Sequence, residues 1–165
     1  MKCLNLTNDS NRIFEGERMR ITSVLKDEEN EKAYKIQVDG VYSFSVSEED
    51  YFKFNLYEKD ELSEEEINNI KDAANFTEAK SKALKFLSFK FRTEKEIRLK
   101  LEDEGFSDDT IQKVLTDLKA DGYINDRLYA RKYLHDRRKL NPKSKRRLIL
   151  ELKNKGIQKE LILEE

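Results

Sequence analysis

One cysteine, one proline, one histidine and no tryptophan occur in this chain of 165 residues, and glycine appears only five times. Cys3 has no second thiol to pair with, so an internal disulfide is impossible, and this cysteine usage fits a reducing cytoplasm. A lone cysteine and a lone histidine, His135, cannot supply the Cys/His cluster of a zinc site. The glycines stand mostly where turns or helix ends are expected, and the chain carries neither a Walker loop nor a Gly-rich phosphate cradle. No apolar run approaches the roughly 20 residues of a membrane span. None near the start resembles a signal peptide. Hydrophobic residues make up 37% of the chain and charged residues 41%. That balance argues against one thick core and for small helical units with wide solvated faces.

The formal net charge of −1 conceals a gradient. Residues 1–75 carry 10 Lys and Arg against 18 Asp and Glu, residues 76–125 carry 10 of each, and residues 126–165 carry 13 against 6. The C-terminal part therefore offers a basic surface to an anionic partner.

Met1 to Arg18 lack helical or strand periodicity and precede Met19, after which patterning begins at once. The run "EGER" ahead of a methionine can be encoded by purine-rich codons like those of a bacterial ribosome-binding site. These residues read as a leader or misassigned start, an ordinary disordered arm being the alternative. From Arg20 to Ser47 the apolar period is two, in "RITSVLK", "AYKIQVD" and "VYSFSVS", with Tyr34, Ile36 and Val38 on one face. Asp39-Gly40 between the last two runs signals a hairpin, because a type I′ turn needs positive φ at both central residues. A small antiparallel sheet is predicted, followed by a short helix over about Glu48 to Phe54.

Beyond it the pattern is helical. Ser63 and Glu66 form a capping box into "EEEINNIKDAA". A separate helix over about Thr77 to Lys90 carries Ala79, Ala83, Leu84, Leu87 and Phe91 at helical spacing. Thr93 with Glu96 opens the next, which Gly105 closes in the left-handed conformation. Ser107 caps a third, with Ile111, Val114, Leu115 and Leu118 as its stripe, and Gly122 ends it.

The unit then begins again. "ALKFL" at Ala83 to Leu87 matches "ARKYL" at Ala130 to Leu134, and "RTEKEIRLKLEDEGF" at Arg92 to Phe106 matches "KSKRRLILELKNKGI" at Lys143 to Ile157. The apolar frame survives, Ile97, Leu99, Leu101 and Gly105 becoming Leu148, Leu150, Leu152 and Gly156. The charges do not: Glu94, Glu96, Glu102 and Glu104 become Lys145, Arg147, Lys153 and Lys155. Pro142 sits in a four-residue insertion between the last two matched helices, placed to break one helix before the next. Ile111 maps to Ile162, so a further helix starts near the end and stops at Glu165 after about two turns. The fold predicted is mainly α, or α+β by content: a small N-terminal β-hairpin sheet, then tandem three-helix repeats. The divisions expected are a leader at 1–18, a hairpin domain with a short helix at 19–62, and a connecting helix at 63–75. A first three-helix module follows at 76–124, then a second at 125–165 whose third helix is incomplete.

These stretches together resemble the RecX family, bacterial regulators of the RecA recombinase. The motifs are Arg92 to Ile97, Leu101 to Gly105, Gly122 to Ala130 ("GYINDRLYA") and Arg147 to Ile157, with "VDGVYSFSVSEED" similar to the N-terminal extension of Gram-positive members. The resemblance covers about residues 20 to 165. It implies an elongated, curved array of three-helix units that binds in the groove of the RecA filament on single-stranded DNA and opposes recombinase and coprotease activity. It also implies a non-enzymatic modulator acting in recombination, repair and the SOS response; the chain itself is expected to be a cytoplasmic monomer without cofactor or membrane association. Family members usually continue into a third unit, so the chain reads as C-terminally truncated.

The binding residues expected are the clusters Arg137, Arg138, Lys139 and Lys143, Lys145, Arg146, Arg147, with Lys153 and Lys155. A surface that neutralises several phosphates gains affinity by counterion release. The bland alternative is a solvated helix face, yet the homologous face of the first module has nearly balanced charge. Tyr123, Tyr129 and Tyr133 lie among these cations. Their helical spacing favours core packing over a base-stacking platform. Leu99 and Leu150 fall off the main stripes and are read as packing one module on the other, contact with a partner being the alternative. No carboxylate pair has a spacing that suggests acid/base work. The alternatives to a filament regulator are a general nucleic-acid-binding helical module and a protein-interaction scaffold.

Overall fold

The computed structural model describes residues 18–28, 32–140 and 143–163. The expectations about residues 1–17, Cys3 among them, and about Pro142 lie outside the described residues. Arg18 belongs to the first strand, where it pairs with Ser63.

The chain divides into two compact units, one ending at Ala74 and the other beginning at Asn75. The first holds strands β1 (Arg18–Lys26), β2 (Ala33–Val38) and β3 (Val41–Ser47), helix α1 (Glu48–Lys53) and strand β4 (Glu61–Ser63). All pairings are antiparallel, in the order β3-β2-β1-β4. Asp39 and Gly40 take φ values of 51° and 79°, as the type I′ hairpin requires. Alternation then buries Ile36 and Val38 of β2 with Phe44 and Val46 of β3, against Leu56, Leu62, Ile67 and Ile70. The three-residue β4 carries no period of its own and was not foreseen. It is a strand because the start of β1 offers a free edge, on which Met19 faces Leu62.

Helix α2 (Glu64–Phe89) is continuous over 26 residues, where the sequence reading expects two helices. The reason is local: "DAANFTEA" contains neither proline nor glycine, and nothing else there stops the hydrogen-bond ladder. The Ser63–Glu66 capping box does open it, Glu66 N–H donating to Ser63 Oγ at 3.1 Å and Ser63 N–H to Glu66 Oε2 at 2.9 Å.

The second unit contains α2 from Asn75 on, then α3 (Glu94–Asp103), α4 (Asp108–Ala120), α5 (Asp126–Leu140), α6 (Lys145–Asn154) and α7 (Lys159–Leu163). Thr93 and Glu96 form the reciprocal capping box of α3, and Ser107 and Ser144 cap α4 and α6. Gly105, Gly122 and Gly156 all have positive φ just after helices, where glycine avoids the left-handed penalty. Two cores result. Ala79, Ala83, Ile97, Leu101, Ile111, Val114, Leu115 and Leu118 make the first, and Ala130, Leu134, Leu148, Leu152, Ile157 and Ile162 the second. The protein is thus mainly helical, with a small N-terminal sheet followed by two three-helix domains.

Candidate functional site

The basic residues of α5 and α6 are held in two different ways. Lys145, Arg146 and Arg147 form the first turn of α6, where positive charge opposes the helix dipole at about 0.3–1 kcal/mol each. Glu151, one turn further on, draws part of that charge inward. Its Oε1 receives the Lys143 ammonium and, at 3.4 Å, Arg147 Nε, while Oε2 accepts from the Tyr133 hydroxyl at 2.8 Å. The hydrogen bond from Lys143 and then that from Tyr133 pull the Glu151 carboxyl down to about 2. In the first module this position is Lys100, so the exchange of sign extends to the residue that organises the face.

A pH dependence follows. The folded pKa of Glu151 lies below its ordinary 4.5, so the stability it contributes is complete above that value and is lost as pH falls from 4.5 toward 2. Carboxyl-detected NMR titration should place the Glu151 midpoint near 2. Replacing Tyr133 with Phe should move it upward, because one hydrogen bond to the charged form is removed.

Lys155 is withdrawn in another direction. Its ammonium lies 2.8 Å from Glu96 Oε1 of the first module and 5.4 Å from the centre of the Tyr129 ring. Burial works against the Glu96 charge, but the Lys155 ammonium and the Thr93 N–H outweigh it and hold the carboxyl below its ordinary value. Around this pair the two modules are joined. The buried Thr93 donates its hydroxyl to the Lys155 carbonyl at 2.8 Å, and Lys95 Nζ donates to the Asn154 carbonyl at 3.1 Å. Glu94 N–H donates to Asp126 Oδ1 at 3.0 Å. Burial raises the Asp126 pKa, partly countered by this N–H.

The joint between modules therefore runs from the start of α3 to the end of α6 and the start of α5. It does not run through Leu99 and Leu150, which are 52% and 56% exposed. Each points away from its own buried stripe, Leu99 opposite Ile97 and Leu101, Leu150 opposite Leu148 and Leu152, so the module-packing reading is corrected. Tyr129 and Tyr133 stack at 6.2 Å and pack on the second core, in line with their helical spacing, whereas Tyr123 is exposed. The Arg137 guanidinium lies 5.0 Å from the Tyr133 ring centre. His135 is exposed.

Of the nine basic residues singled out in the sequence, Lys143, Arg147 and Lys155 are thus engaged with carboxylates and Arg137 with an aromatic ring. Arg138, Lys139, Lys145, Arg146 and Lys153 are exposed and form no ion pair with another described residue. Along α6, Arg146 and Lys153 flank Leu150 at i−4 and i+3, on one outward face. Sequence reasoning missed the organising role of Glu151. Its signal was there: it is the one acidic residue between Asp136 and Glu160. Among the described residues no group of three or more His, Cys, Asp and Glu could hold a metal, and no helix is long and apolar enough to cross a membrane.

Comparison with known proteins gives a consistent answer. Residues 79–118 match the model of the first RecX three-helix domain, and residues 125–164 match that of the second. The regulatory protein RecX of Listeria monocytogenes serotype 4a is 39% identical over 147 residues, 87% of this chain and 54% of the relative. The chain thus spans about half the length of the Listeria relatives. The regulatory protein RecX of Caldanaerobacter subterraneus subsp. tengcongensis is 33% identical over 144 residues, 87% of this chain and 72% of the relative. A crystal structure of regulatory protein RecX superposes with a TM-score of 0.70 at 28% identity, covering 88% of this chain and 71% of the other. That of RecX from Lactobacillus salivarius gives 0.55 at 28% identity, over 56% and 60%. Both three-helix domains, the order of their motifs and a relative matched over most of its length agree: this chain belongs to the RecX family of regulatory proteins.

Proposed function

We propose that this chain binds the RecA filament assembled on single-stranded DNA and inhibits its recombinase and coprotease activity, by binding and without chemistry of its own. The observation that carries the reading is the set Arg138, Lys139, Lys145, Arg146 and Lys153, exposed and without ion pairs to other described residues. A module whose only task is to fold has no need of them, since the first module folds with Glu94 at the place of Lys145 and Glu102 at that of Lys153. Lys143, Arg147 and Lys155 are assigned to shaping this face, and the five exposed cations to the phosphates or carboxylates of the filament. In this reading the protein acts in the cytoplasm, in recombinational repair and the SOS response.

The test uses purified recombinase, single-stranded DNA and the intact chain. Inhibition of DNA-dependent ATP hydrolysis should require the assembled filament and weaken steeply with salt. Each phosphate contact on a single strand contributes about −0.7 to the slope of log K against log salt. Tight binding to bare DNA with no effect on filaments would replace this reading with that of a general nucleic-acid-binding module. Neither effect would leave a protein-interaction scaffold.

A further inference from the structure

The reversal of sign between the modules has a consequence that does not depend on a recombinase. On the outward face of α3, Leu99 is followed at i+3 and i+4 by Glu102 and Asp103. On the outward face of α6, Leu150 has Arg146 at i−4 and Lys153 at i+3. All six side chains are exposed, and none of the four charged ones forms an ion pair with another described residue. The two faces have the same apolar centre in the same helical frame; at i+3 the sign reverses, Glu102 against Lys153, and at i+4 Asp103 stands where α6 has Asn154. The counterpart of Arg146 is Lys95, whose ammonium is turned to the Asn154 carbonyl at 3.1 Å. Within one chain neither covers the other, because both leucines remain more than half exposed.

We propose that copies of this chain associate head to tail, the acidic α3 face of one copy docking on the basic α6 face of the next. The occupant follows from the charges. A nucleic-acid backbone complements Arg146 and Lys153 but is repelled by Glu102 and Asp103. A single partner surface met by both modules complements one sign and opposes the other. A second copy of this chain carries both faces and satisfies both. Such a contact is heterologous, leaving an acidic face free at one end and a basic face at the other, so it extends beyond a dimer. The monomer expected from the sequence is then the dilute form, and association grows where copies are concentrated.

The proposal is tested without recombinase or DNA, so its failure leaves the filament reading untouched. Sedimentation equilibrium of the full chain at low salt, loaded up to about 1 mM, covers the range in which so small a contact associates. The weight-average mass of the wild type should rise with concentration and fall back as salt is added. The variant R146E/K153E presents two acidic faces and E102K/D103K two basic ones. Each alone should stay at monomer mass, and an equimolar mixture should recover the association. Leu150→Ala, which changes no charge, should weaken association about fivefold or more. The positions are exposed, and helical circular dichroism checks that each variant is folded. A wild type that stays monomeric throughout overturns the proposal. So does a mixture that fails to associate, or an E102K/D103K variant that associates as the wild type does.

Discussion

Reversing Lys145, Arg146 and Lys153 to Glu should yield a folded protein whose half-inhibitory concentration on recombinase filaments is higher by roughly 100-fold or more, taking about 1 kcal/mol per lost contact plus repulsion. Two of the three stand in the first turn of α6, where acid suits the helix dipole better than base; Lys153 is in the last turn, where the opposite holds. The contributions of about 0.3–1 kcal/mol each partly offset, so thermal stability should be unchanged or slightly raised. Glu94 and Glu102 already occupy two of the equivalent positions in α3, which folds with them. Arg147 is left in place, because a glutamate there would face Glu151 one turn away and disturb the group that holds Lys143 and Tyr133. The salt dependence of inhibition should flatten as well, by about 2 in slope for three contacts on a single strand. A variant that inhibits as well as the wild type at matched salt would show that this face is only solvated surface. The variant E102K/D103K keeps the basic face and should still inhibit, which separates filament binding from self-association.

The largest loss of stability from a single methyl group is expected at Gly156. Its φ is +88°, and a Cβ built there would meet Lys95 Cβ at 2.5 Å and Lys95 Cδ at 2.9 Å. Gly105 has a similar φ of +85°, but nothing lies within 4 Å of its Cβ position. Gly105→Ala therefore isolates the left-handed penalty, about 1–2 kcal/mol. Gly156→Ala adds overpacking against the first carbon of a side chain whose own backbone is fixed, a further 1–3 kcal/mol or so. Lys95 cannot retreat freely, because its ammonium reaches the Asn154 carbonyl and its neighbour Thr93 holds the Lys155 carbonyl. Urea unfolding of the two variants side by side measures the difference. Equal losses would mean that the joint between the modules yields without cost.

What the sequence by itself determined is what depends on near neighbours along the chain. The hairpin at Asp39-Gly40, the Thr93 and Ser107 caps and the glycines after α3, α4 and α6 each rest on a residue's own φ or on a partner three residues away. The two repeated cores follow from the helical period, and the basic character of the second module from composition alone. Tertiary structure decided what depends on distant partners. The strand β4 exists because β1 lies beside it. Lys155 leaves the set of exposed cations because Glu96, 59 residues earlier, is folded against it, and Lys143 leaves it because Glu151 turns back toward it. Leu99 and Leu150 face outward because the modules meet through Thr93 and Lys155 instead. Helical period tells which side chains share a face, but only the packed chain determines which faces are covered, since that depends on where the remote elements come to rest.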